Sequence, residues 1–280
     1  MDSPEKPLLN DGLERYRFTD ESDRMIFAHQ AGAQGLAEGW LVRVFVIFPL
    51  TLINLTSLQE GVVAMGISPT LTVHQDIVMR SGPIVLEGRL DVPENSKGLV
   101  IFAHGSGSSR FSPRNAIVAE SLQNAGLATL LMDLLTDAEA ESRSNVFDID
   151  LLADRILIAA DAMAKRKETK SLPLSLFGAS TGAAAALVAA AREPARFSSV
   201  VSRGGRPDLA SGYLPFVKCP TLLIVGGLDL DVIELNRSAQ NQLKAESELV
   251  IVPGATHLFQ EEGALEQVCE LACRWFVSRL

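Results

Sequence analysis

Residues 174–183 read Leu174-Ser175-Leu176-Phe177-Gly178-Ala179-Ser180-Thr181-Gly182-Ala183. The first four have the short apolar character of a buried strand, and the alanine-rich run that follows has that of a helix. Between them lies a G-x-S-x-G, a pattern that gains meaning from standing between a strand and a helix. A turn that passes so quickly from one to the other leaves no space for side chains beside the serine, and Gly178, Gly182 and Ala183 provide that clearance. The Ser180 hydroxyl then projects outward while the unpaired N–H groups of the helix N-terminus face any negative charge that develops beside it. The plainer reading is a serine that caps an ordinary helix, and the choice rests on whether a base and an acid fall where such a nucleophile needs them.

Outward from this turn, short apolar or β-branched runs alternate with longer amphipathic ones, the pattern of βα units on a mostly parallel sheet. Strands are expected over 72–79, 84–90, 98–103, 128–132, 173–177, 199–201, 221–225 and 249–252. Helices are expected near 114–125, 148–165, 180–191, 232–244 and 263–278. The turn cluster Arg80-Ser81-Gly82-Pro83 joins the first two strands as an antiparallel hairpin. The fold class is therefore α/β, a central sheet of about eight strands with helices on both faces. The stretch 202–219 is too short for a helical lid, so a site at the sheet's carboxyl edge is expected to be open.

A serine hydroxyl needs a base within hydrogen-bond reach and an acid that holds the base in the right tautomer. The chain has four histidines. His29 lies in an acidic N-terminal stretch, His74 in the first strand, and His104 in a glycine-rich loop ahead of the nucleophile. His257, in the loop after the last strand, fits the chain order serine, acid, histidine that goes with a nucleophile on such a turn. The acid is sought after strand 221–225, where Asp229 and Asp231 compete. Asp231 opens an Asp-x-x-Glu pattern with Glu234 and has a sufficient duty as a helix cap, which leaves Asp229 as the partner of His257. Backbone N–H groups of Thr181 and Ser106 are the expected oxyanion donors. His104-Gly105-Ser106-Gly107-Ser108-Ser109 lacks the spacing of a phosphate-binding loop, so no nucleotide cofactor is expected.

Composition bounds the rest. The 280 residues carry 25 Lys and Arg against 34 Asp and Glu, a net charge of −9, which argues against nucleic acid as a partner. Cys219, Cys269 and Cys273 are too few for a disulfide framework and suit a reducing compartment, the cytoplasm. Cys269 and Cys273, one helical turn apart, are expected to pack on a helix face, and no metal site is expected. The first 39 residues hold four basic and eight acidic residues. Residues 41–55 are apolar but interrupted by Arg43 and Pro49, too short for a spanning helix. They are expected to pack on the domain; the weaker alternatives are membrane contact and a translation start at Met65. The chain thus divides into an extension over 1–70 and a catalytic domain over 71–280.

The order His104-Gly105-Ser106-Gly107, Gly178-Ala179-Ser180-Thr181-Gly182, Asp229 and His257 resembles the α/β-hydrolase fold. The runs Ser109-Arg110-Phe111-Ser112-Pro113-Arg114-Asn115, Val201-Ser202-Arg203-Gly204-Gly205-Arg206-Pro207 and Pro253-Gly254-Ala255-Thr256-His257-Leu258-Phe259 are similar to the dienelactone-hydrolase-like branch. The resemblance covers residues 71–280 and implies Ser180 as nucleophile, His257 as base and Asp229 as its orienter. Dienelactone hydrolases proper carry a cysteine nucleophile where this chain has Ser180, which favours simple ester cleavage. The function expected is a cofactor-free serine esterase acting on small carboxylic esters. An acyltransferase built on the same triad and a non-catalytic binding module are the alternatives. Arg110, Arg114, Arg203 and Arg206 flank the same edge, either to bind a substrate carboxylate or phosphate or to pair with the protein's own carboxylates.

Overall fold

The computed structural model describes residues 70–280. The expectations for the acidic stretch, the apolar segment 41–55 and the alternative start at Met65 lie outside the described residues. Eight strands form one sheet: β1 (Leu71–Ser81), β2 (Ile84–Pro93), β3 (Leu99–Ala103), β4 (Ala128–Met132), β5 (Leu174–Ala179), β6 (Phe197–Arg203), β7 (Thr221–Gly226) and β8 (Ser247–Val252). Their spatial order is β1-β2-β4-β3-β5-β6-β7-β8. β1 pairs antiparallel with β2 and β2 with β4, while every pairing from β4 through β3 to β8 is parallel.

Helices α1 (Pro113–Asn124), α2 (Asp137–Ala140), α3 (Arg143–Val146), α4 (Ile149–Met163), α5 (Thr181–Arg192), α6 (Leu230–Gln242) and α7 (Ala264–Val277) fill the crossovers. The inner strands are apolar along their whole length because helices cover both faces. In β3, Ile101 points into a core with Leu152 and Ile156 of α4 and Leu187 of α5. Its neighbours Val100 and Phe102 point the other way, into a core with Val118 and Leu122 of α1 and Val268 and Phe276 of α7. The period of two along the strand divides the core into these two halves. Cys269 is buried in the second core and Cys273 packs against it, as expected of helix-face residues.

All eight expected strands and all five long helices are present. The segment 202–219 holds only two single 3-10 turns, Pro207–Ala210 and Leu214–Phe216, and no lid. Two differences bear on the site. The segment after β4, where no helix was expected, contains α2 and α3. α2 is fixed by a capping box, in which Thr136 Oγ1 accepts from the Glu139 N–H and the Glu139 carboxylate accepts from the Thr136 N–H at 3.0 Å. Asp231 is not the cap expected of it. α6 begins at Leu230, so Asp229 occupies the N-cap position and Asp231 lies inside the first turn. Asp229 makes no side-chain cap bond, because its carboxylate turns to a partner outside the helix.

Candidate active site

Four loops meet at the carboxyl edge of the parallel strands, the place where open α/β sheets present their ligands. The β5–α5 turn carries Ser180 at φ 52° and ψ −121°, a left-handed conformation that a non-glycine residue adopts only when its surroundings enforce it. The enforcement is steric and hydrogen-bonded. A Cβ on Gly182 would lie 2.3 Å from the carbonyl oxygen of Ala103, so the helix start presses directly on the end of β3. The Ser180 N–H donates to the Arg203 carbonyl at 3.2 Å, and the Ser180 carbonyl accepts from the Arg206 N–H at 3.1 Å. The turn is thereby clasped to the end of β6, with the hydroxyl free of any capping bond.

His257 and Asp229 come together from the ends of β8 and β7. A Cβ on Gly226 would lie 2.4 Å from the Ala255 carbonyl oxygen, so only glycine lets the two loops pass this closely. The result is a bond of 2.6 Å between His257 Nδ1 and Asp229 Oδ2. With Nδ1–H donating to the carboxylate, Nε2 keeps its lone pair. Ser180 and His257 line one cavity of about 240 Å³, with no hydrogen bond joining the hydroxyl to the ring in the described residues.

The loop after β3 lies over the turn. The Ser106 N–H donates to Thr181 Oγ1 at 2.9 Å, so the amide expected to serve the oxyanion already has a hydroxyl partner beside the Thr181 backbone. His104 anchors this loop from below. Its Nε2 accepts from the Leu134 N–H at 3.2 Å and its Nδ1 donates to the Gly105 carbonyl at 3.0 Å. Both bonds together require the neutral ring, and burial lowers its pKa, partly offset by the Gly105 carbonyl and Asp133. Nothing in the sequence distinguished this histidine beyond its place in a glycine-rich loop.

The four arginines divide into two kinds. Arg110 pairs with Asp133 and, at 2.6 Å, with Glu87. Arg206 holds Asp208 through two bonds of 2.8 Å. These two tie loops to the protein's own carboxylates. Arg114 and Arg203 line the Ser180 cavity, and among the described residues neither meets a carboxylate. Arg203 is only 7% exposed, and among the described residues its Nε and Nη1 have no partner. Burial, and after it the charge of Arg114, pushes its pKa down to about 10. The Phe259 ring, 6.0 Å from the guanidinium, gives it some support. Asn115, also buried on this cavity, has a side-chain oxygen without a donor among the described residues. The sequence reading quoted Asn115 only as part of a longer run.

A solved dienelactone hydrolase from Anabaena variabilis ATCC 29413 is 53% identical to this chain, with 74% of this chain and 98% of that one covered at a TM-score of 0.72. The chain belongs to the dienelactone-hydrolase-like α/β hydrolases. Est1E from Butyrivibrio proteoclasticus, 19% identical over 73% of this chain and 98% of its own, shares the fold at a TM-score of 0.64. Two Mycobacterium tuberculosis proteins, from strains CDC 1551 / Oshkosh and ATCC 25618 / H37Rv, are each 53% identical over 222 residues, 79% of this chain. Both bear the name "Putative phosphoribosyl transferase", and this dienelactone-hydrolase-like chain spans 50% of their length. No protein-family model matches.

Proposed function

We propose that this hydrolase cleaves carboxylic esters through an acyl-enzyme on Ser180. The observation that carries the reading is the 2.6 Å bond from His257 to Asp229 on the cavity that holds Ser180. Ser180 Oγ attacks the acyl carbon and its proton passes to His257 Nε2, while Asp229 balances the imidazolium. The carbonyl oxygen, now negative, is held by the Thr181 N–H and by the Ser106 N–H, which exchanges the Thr181 hydroxyl for the stronger acceptor. The C–O bond to the alcohol breaks as His257 returns the proton to the leaving oxygen. Water then attacks the acyl-enzyme, gives its proton to His257, and releases the acid as Ser180 recovers its own.

Arg114 and Arg203 add a preference for a negatively charged group on the substrate. Two guanidiniums with open donors beside the nucleophile form a site that a carboxylate or phosphate completes. The name borne by the mycobacterial relatives is not carried over, since half of their length lies outside the match and this site is arranged for acyl chemistry. The three cysteines, all free thiols, fit a reducing compartment, which we take to be the cytoplasm.

The test is Ser180→Ala, measured with an ester and with a fluorophosphonate probe. The expected result is loss of probe labelling and a fall in kcat of at least about a thousandfold, with the melting curve unchanged. A folded variant that retains more than a tenth of kcat refutes the assignment. Transfer of the acyl group to an added alcohol in preference to water would reassign the enzyme as an acyltransferase on the same residues.

A further inference from the structure

A second cavity, of about 290 Å³, adjoins the Ser180 cavity and shares Gly105, Ser106 and Ser108 with it. Its depth is hydrocarbon: Leu134, Leu135, Val146 and Leu152 line it, and the exposed Phe111 ring stands at its rim. Several polar groups on its wall are already engaged, while the Asp137 carboxylate, also on the wall, meets no cation among the described residues. Both His104 nitrogens are bonded to backbone, Arg110 and Asp133 are paired with each other, and Thr181 Oγ1 is held by the Ser106 amide. A ligand entering here meets apolar surface and, at the exposed Asp137, a negative charge that disfavours an anion, the reverse of the neighbouring cavity with Arg114 and Arg203.

We propose that this cavity binds the hydrocarbon part of the substrate, an aryl or branched alkyl group, so that the enzyme acts on esters with an apolar side and an anionic side. The inference rests on the serine-hydrolase reading and extends it. The reacting carbonyl must lie against the Ser106 and Thr181 amides, and Ser106 is common to the walls of both cavities. The two substituents of that carbonyl therefore leave in two directions, one toward the leucines and one toward the arginines. Size favours a ring system, since a dry cavity of about 150 Å³ already accommodates benzene. The walls come from the loop after β4, from α2 and α3, whose helical turns were not expected from sequence, and from the start of α4, which was.

Ala140 lies on the rim of this cavity, exposed and outside the catalytic groups. Ala140→Trp should fill the cavity, and Val146→Trp serves as the second variant if the first melts early. With 2-naphthyl acetate and ethyl acetate as substrates, the expected result is a KM at least about tenfold higher for the aryl ester and unchanged for ethyl acetate. A direct binding measurement is independent of turnover: 2-naphthol should bind Ser180→Ala protein, followed by its fluorescence, and should lose that binding when Ala140→Trp is added. Folded variants that leave both the naphthyl KM and the naphthol binding at the parent values overturn the proposal. Naphthol binding that responds to Ala140→Trp in a protein that never labels with fluorophosphonate upholds the cavity and sinks the serine-hydrolase reading alone.

Discussion

The described residues contain two histidine–aspartate pairs, and they differ in what the second ring nitrogen meets. His257 joins Asp229 through Nδ1 and leaves Nε2 to the cavity of Ser180. His74, on the edge strand β1, also joins a carboxylate through Nδ1, that of the buried Asp91 on β2, but its Nε2 accepts from Arg89 at 2.8 Å. The second pair is closed, with an acid on one side and a cation on the other. It fastens the antiparallel hairpin, where a cross-strand pair of this kind is worth a fraction of a kcal/mol to about 1 kcal/mol. The contact between histidine and aspartate therefore does not by itself make a base. His257 is proposed as the base because its open Nε2 stands on the cavity of the strained Ser180.

The comparison is most sharply tested at the acids. Asp229→Asn should lower kcat on the order of 10⁴-fold with little change in melting temperature, because the amide presents a donor to Nδ1 and turns the ring to the wrong tautomer. Asp91→Asn should leave kcat within about twofold while lowering the melting temperature, because it disturbs only a cross-strand contact. Steady-state kinetics and melts on the two variants decide the matter, and equal losses of kcat would erase the distinction drawn here.

The arginines carry a smaller effect of opposite sign on two observables. Arg203 is buried without a carboxylate, whereas Arg206 is paired with Asp208. Arg203→Met should raise the melting temperature, because a buried cation without a partner destabilises the unliganded fold. The same change should raise KM for a hemisuccinate ester by about 10- to 100-fold, the loss expected of a hydrogen bond to a charged group, and spare its neutral ethyl analogue. Arg206→Met, which breaks a partly exposed pair, should do neither. A lower melting temperature for Arg203→Met would mean that the fold, and not a ligand, requires the charge.

The smallest effect concerns His104. Burial holds its ring below the ordinary value of 6.5, so just below that pH the unfolded chain binds a proton that the folded chain refuses. Stability should fall as the pH drops below about 6.5 and level off once the folded ring titrates. His104→Asn should flatten that part of the pH dependence of the melting temperature. An unaltered slope would show that the ring is not the group responsible.

What the sequence by itself determined is the alternation of elements and the chain order of the chemistry. Uniformly apolar runs such as Leu99–Ala103 and Thr221–Gly226 announce strands covered on both faces, and G-x-S-x-G between a strand and a helix locates the sharp turn, because only small residues fit there. Both are local constraints of sterics and hydrophobic period. Other features depended on atoms far apart in the chain. Asp229 and Asp231 were separated by a capping argument that the structure does not bear out, since the helix starts two residues earlier than Asp231 as its cap would require. What selects Asp229 sterically is the passage of Gly226 against Ala255, a contact between two loops. The pairing of Arg110 was equally out of reach, because it turns on where Asp133 and Glu87 lie in space. Part of the wall of the hydrocarbon cavity comes from two four-residue helical turns too short to impose a period on the sequence. Local propensity and pattern write the strand and the turn, but partnership between charges and the shape of a cavity arise only when distant segments are packed together.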